Sequence, residues 1–151
     1  MHVIRPFAGA VSLLIGGVLL LGLGGPALAD ASSISVGGVW VCNITQDASG
    51  FTAAERIVQV RQRITEVLST NRFRDNPNVF VRVRAAGHDA LISAGDPVGK
   101  ILVFTVTPQD AAGTSLTPVQ LADQWAPRLA QGLAKAMPSS RWNIPGHVYL
   151  F

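Results

Sequence analysis

Apolar positions recur along this chain at two different periods, and the places where the period changes mark out its elements. Val36 to Thr45 carries Val39, Trp40, Val41, Cys42 and Ile44 in near succession. A run of β-formers that is apolar on both faces predicts a central strand. Gly37-Gly38 loosens its start, and Asp47-Ala48-Ser49-Gly50 is a turn. From Thr52 the period becomes helical. Ile57, Val60, Ile64, Val67 and Leu68 form one stripe, and Arg56, Arg63 and Glu66 are assigned to the opposite face. Thr52-Ala53-Ala54-Glu55 is a capping box, so the predicted helix starts there and runs to about Ser69.

Asn71 to Asn78 is polar and rich in breakers, and reads as a loop. Val79-Phe80-Val81-Arg82-Val83-Arg84 then alternates at period two with the valines inward. Gly87-His88-Asp89 turns the chain into a short strand, Ala90 to Ala94. Gly95-Asp96-Pro97 turns it again into Lys100 to Thr107, apolar enough for a central place. Such short turns predict an antiparallel meander. The final helix is announced by Thr117 as cap, Pro118 as first residue and Gln120 as reciprocal partner, with Leu116 and Leu121 as a hydrophobic staple. Leu121, Trp125, Leu129, Leu133 and Ala136 share one face; Pro127 predicts a kink, and Met137-Pro138 ends the run. Trp40 and Trp125 are assigned to the core.

The order β-α-β-β-β-α predicts an α+β fold, a two-layer sandwich in which two helices cover one face of an antiparallel sheet of about four strands. The domain is assigned to residues 36–137, behind a linker over 30–35. Residues 138–151 form a tail able to add an edge strand packed by Trp142 and Tyr149.

Residues 1–29 follow neither period. Arg5 is a short positive start, Phe7 to Gly25 is uncharged and mostly apolar, and Pro26 leads into the small-x-small triplet Ala27-Leu28-Ala29. That layout predicts a secretory signal peptide cleaved after Ala29, and hence an extracytoplasmic domain, periplasmic or in another space such as a lumen. The alternative is an uncleaved anchor, because the run reaches the roughly 20 residues a bilayer requires. Its glycines, and the lack of a basic cluster after Ala29, favour cleavage. A lipoprotein reading fails, since bulky Val39-Trp40-Val41 precede Cys42 where small residues would be needed.

Lys and Arg number 12 against 9 Asp and Glu, a net charge of +3. That is too little to argue for nucleic acid. Cys42 is the single cysteine, so no intramolecular disulfide can form, and its apolar setting predicts burial. No catalytic, cofactor or metal set emerges. His88 and His147 stand apart from any nucleophile-elbow serine, and Asp47, Asp89, Asp96 and Asp110 read as scattered turn acids. A small hydrolase using His88 or Cys42 is the weaker alternative. Phe80, Arg82 and Arg84, near Arg72 and Arg74, form a candidate basic and partly aromatic surface for an anionic lipid or acidic partner. Trp125 and Pro127 mark a candidate pocket for a small-molecule carrier. Thr52 and Thr117 are assigned structural roles as caps.

Three segments together carry a resemblance. They are Gly38-Val39-Trp40-Val41-Cys42-Asn43-Ile44, then Gly50-Phe51-Thr52-Ala53-Ala54-Glu55-Arg56 with Arg63-Ile64, then Val106-Thr107-Pro108-Gln109-Asp110-Ala111 running on to Leu121-Ala122-Asp123-Gln124-Trp125-Ala126. In that order the chain resembles the N-terminal extracytoplasmic domain of bacterial mechanosensitive channels of small conductance. The resemblance implies an α+β domain of the envelope with Glu55, Arg56 and Asp110 as structural fixtures, and it transfers no catalytic or ligand residues. Pro127 departs from the pattern, and no second apolar span follows, so the expectation is a free-standing domain without a pore. The expected role is a non-enzymatic interaction module. Its expected partner is an envelope protein or the membrane surface, with no nucleic acid and no cofactor.

Overall fold

Gly37 and Gly38 take φ angles of 54° and 76°, and two successive left-handed residues reverse a chain rather than loosen it. They join β1 (Ser33–Val36) to β2 (Val39–Asn43) in an antiparallel hairpin. The predicted linker over 30–35 therefore contains a strand, and the predicted first strand is cut at its glycines. The computed structural model describes residues 31–145. Residues 1–29, Asp30, His147 and the Val148–Phe151 end of the tail, with Tyr149, lie outside the described residues.

The hairpin forms its own two-stranded sheet, so β2 is not a central strand, and the register irregularity opposite Ile34 and Ser35 lets the consecutive Val41 and Cys42 both be buried. Val41 and Cys42 face the core, whereas Trp40 is 47% exposed, against its assignment to the interior. The Arg128 guanidinium lies 4.7 Å from the Trp40 ring, and the indole Nε1 donates to Asn43 Oδ1 at 3.1 Å.

Helix α1 (Ala53–Ser69) begins at the expected capping box: Glu55 N donates to Thr52 Oγ1 at 3.3 Å, and Thr52 N donates to Glu55 Oε2 at 2.8 Å. A 3-10 turn over Asn71–Phe73 follows. It turns Phe73 fully inward, where Ser140 Oγ donates to its carbonyl at 2.6 Å, so the polar loop hides a core residue. Then come β3 (Val79–Ala86), β4 (Asp89–Gly95) and β5 (Lys100–Val106), the expected antiparallel meander. A short helix α2 (Pro108–Ala111) was not anticipated, although its Thr107-x-x-Asp110 box is written in the sequence. Helix α3 (Pro118–Ala136), capped by Thr117 and Gln120, continues unbroken through Pro127, whose ring faces solvent. Last, β6 (Trp142–Asn143) pairs parallel with β3, giving a mixed second sheet in the order β5-β4-β3-β6.

The fold is thus α+β with two sheets instead of one. Both long helices lie against one face of the four-stranded sheet, and the hairpin lies mainly on α3. Val79, Val81, Ile92 and Phe104 from the sheet meet Leu129 and Leu133 of α3, all at 1% exposure or less. Phe104 and Trp125 meet edge to face at 5.7 Å, and Phe73 and Trp142 do so at 6.0 Å. Hairpin and helix meet most closely at Gly132, where a Cβ would stand 2.6 Å from the Val36 carbonyl oxygen.

In an exposed helix interior, Gly→Ala gains about 1 kcal/mol from propensity. Gly132→Ala is expected to lose about 1–3 kcal/mol, because the new methyl meets backbone that can yield only by moving the hairpin. Urea unfolding measures it, and a gain in stability would mean that the hairpin is not held against α3.

Candidate functional site

Strand pairing sets which side chains share a face. In β3, Phe80, Arg82 and Arg84 point away from the helices, since Val79 and Val81 are fully buried beneath them. Their registers run straight across the sheet. Phe80 pairs with Gly95 and Gly95 with Lys100; Arg82 pairs with Ser93 and Ser93 with Leu102; Arg84 pairs with Leu91 and Leu91 with Thr105. No described helix or strand covers this side. Arg82, Arg84 and Lys100 are exposed, while Phe80, Leu91 and Leu102 are half-buried between them. The Arg82 guanidinium lies 4.5 Å from the Phe80 ring centre, so part of the apolar surface carries a cation over it.

The two further arginines assigned to this surface go elsewhere. Arg72 packs against Gly99, which has no side chain to obstruct it, and its Nε lies 3.4 Å from Asp96 Oδ2. Asp96 is itself held in the β4–β5 turn, accepting from Val98 N at 2.9 Å and Gly99 N at 2.8 Å. Arg72 is therefore partly neutralised at the edge of the surface. Arg74 lines a separate hollow with Leu68, Asp75 and Met137 near the ends of the long helices. Lys100 takes the vacated place. Its position could not be found from spacing along the chain, because the β4–β5 register depends on an irregularity between Ile92 and Ser93.

Trp125 and Pro127 do not share a pocket. Trp125 is buried against Phe104, and Pro127 lies on the solvent side of α3. The other marked residues form the scaffold. Arg56, expected on the solvent face of α1, is 9% exposed. Its Nη1 donates to Asp110 Oδ1 at 2.9 Å and to the Gln46 carbonyl at 2.6 Å; its Nη2 donates to Asp110 Oδ2 at 2.6 Å and to the Thr105 carbonyl at 3.3 Å. Periodicity alone puts Arg56 toward solvent, but a guanidinium with this many acceptors can be buried. Glu55, with its hydrogen bonds from the Thr52 backbone and then the Thr52 side chain, has its carboxyl held below the usual carboxylate range.

Nucleophilic chemistry finds little support in the placement of Cys42 and His88. His88 sits on the exposed β3–β4 turn. Cys42 is 1% exposed, and its thiol is pushed up from an ordinary value of 9.0, first by burial and then by the Asp110 charge, against the opposing pull of Arg128 and Arg56. Among the described residues no group of three or more His, Cys, Asp or Glu could hold a metal ion. No helix among them is long and apolar enough to cross a membrane.

A thiol raised on folding stays protonated in the native state while the unfolded chain ionises above pH 9.0. The unfolded state then binds fewer protons, so this contribution to stability is intact below that pH and is lost as pH rises beyond it. Cys42→Ala is expected to remove that alkaline loss, read as a smaller fall in the urea midpoint between neutral and alkaline pH than the parent shows. Equal falls would place the thiol in solvent.

No curated protein and no solved structure matches this chain. The model of one family does, and it matches residues 33–136, from the first residue of β1 to the last of α3. The match takes in the hairpin, both long helices and the meander that presents the basic face, and the chain belongs to that family, Domain of unknown function (DUF8459).

Proposed function

We propose that this chain is an exported, non-enzymatic interaction module of the cell envelope, acting through the open face of its four-stranded sheet. The observation that carries the reading is the arrangement of Arg82, Arg84 and Lys100 around Phe80, Leu91 and Leu102 on a face no described element covers. An antiparallel sheet tolerates one solvated face. This one adds interleaved cations and apolar patches, the pairing that suits a partner presenting carboxylates around an apolar centre. Three cations fall short of the roughly 4–8 that mark a polybasic membrane site. An acidic protein surface is therefore the preferred partner over anionic lipid.

The signal-like N-terminus supports a partner outside the cytoplasm. The resemblance to the extracytoplasmic domain of mechanosensitive channels of small conductance makes a channel of that kind a reasonable first candidate. Catalysis is not part of the reading: the thiol is buried and the described histidine stands on a turn.

Photocrosslinking in intact cells tests this, with the probe at Ser93 in the centre of the face and, as control, at Glu66 on α1. One envelope protein is expected from Ser93 only, and Arg82→Glu with Arg84→Glu should abolish it while leaving the unfolding free energy within about 0.5 kcal/mol of the parent. Co-sedimentation with anionic vesicles, lost in the same variant, would replace the protein partner with the membrane. Equal crosslinking from both positions, or none with no vesicle binding, would overturn the proposal.

A further inference from the structure

On the far side of β5 from the meander's centre, the chain between β2 and α1 makes a tight reversal. Ala48 and Phe51 exchange both backbone hydrogen bonds at 3.0 Å, and the two residues between them are left-handed, with φ of 55° at Ser49 and 80° at Gly50. Glycine adopts that conformation freely, but a serine there is strained. The reversal leaves Phe51 45% exposed and forms one wall of a cavity of about 170 Å³. The opposite wall is α1, through Gln59, Val60 and Arg63, and Ile44 contributes more apolar lining.

Arg63 is the unusual member. It is half-buried and lines the cavity, yet it has no hydrogen bond or ion pair among the described residues. Glu66 on the next turn makes no ion pair with it. The other cation of the cavity, Arg56, is held through both terminal nitrogens by Asp110 and two carbonyls. A second hollow of about 380 Å³ adjoins the first, sharing Phe51 and Gln59 and extending over Ala54 and Val58, the latter 63% exposed. Its acidic member, Glu55, is occupied by Thr52. The first cavity alone is smaller than the usual 300–1,000 Å³ or so of a small-molecule site, and the joined groove reaches that range.

We propose that this groove binds a small amphiphile with a carboxylate head and an aliphatic body. The head pairs with the Arg63 guanidinium, whose planar fork suits a carboxylate. Gln59 stands beside it as a second donor. The body lies along Phe51 toward Ala54 and Val58, covering apolar surface otherwise left in water. The site is independent of the sheet face, because α1 and the β2–α1 reversal build it.

Octanoate is the probe, followed by amide chemical shifts in the protein as purified from the envelope fraction. Saturable shifts are expected at Ser49, Gly50, Phe51, Gln59 and Arg63, with a Kd of about 1 mM or tighter. Octan-1-ol, with the same chain and no charge, and inorganic phosphate, with charge and no chain, are both expected to bind about tenfold or more weakly than octanoate. Arg63→Gln should erase the preference for octanoate over octanol, and Val58→Asp should weaken both, each without changing the unfolding midpoint. Shifts centred elsewhere, equal binding of octanoate and octanol, undiminished octanoate binding by Arg63→Gln, or no saturable shift would each overturn the proposal.

Discussion

The ion pair between Arg56 and Asp110 is the interaction on which the rest depends. Arg56 is carried by α1, yet its guanidinium reaches the Gln46 carbonyl beyond β2, the Thr105 carbonyl near the end of β5, and Asp110 in α2. Asp110 in turn caps α2, accepting from Thr107 N at 2.8 Å. The two side chains are 10% and 3% exposed. Burying two charges costs several kcal/mol per ion unless nearly every donor and acceptor is satisfied. Here the loop after β2, the edge of β5 and the start of α2 supply the partners. Arg56 also occupies a carbonyl on an edge strand, a position that could otherwise recruit another chain.

This junction ties the hairpin side of the molecule to the meander side. Hydrophobic contact does the remainder: Gly132 lets β1 settle on α3, and Phe104 meets Trp125 beneath the sheet. One face of the sheet is thereby filled, and among the described residues the other is left open. The basic face and the groove at Phe51 lie on either side of β5, and the groove's reversal begins just beyond the Gln46 carbonyl that Arg56 holds.

Much of the fold was legible along the chain where local signals are strong. Thr52, Glu55, Thr117 and Gln120 cap helices from adjacent sequence, and the valines of β3 fall at period two. What was missed depended on contacts between distant segments. Arg56 looked like a surface residue because its acceptor lies far along the chain at Asp110. Trp40 looked like core because nothing local shows that β2 pairs only with β1. Of the candidate surface, Phe80, Arg82 and Arg84 follow from alternation alone. Proximity in sequence suggests Arg72 and Arg74, but the structure ties one to Asp96 and sends the other toward Met137. Lys100 joined the face only through the strand registers. The groove rests on the left-handed Ser49 and on an Arg63 unpaired among the described residues, neither of which has a signature in spacing.

The most direct test of this account is a double-mutant cycle on Arg56 and Asp110 by urea unfolding, using Arg56→Met and Asp110→Asn, the latter keeping an acceptor for the α2 cap. Each single variant should lose about 3–5 kcal/mol, because it strands a buried charge, and the double variant should lose far less than their total. Additive losses, or single losses within about 0.5 kcal/mol of the parent, would contradict the claim that this pair joins the two sides of the domain.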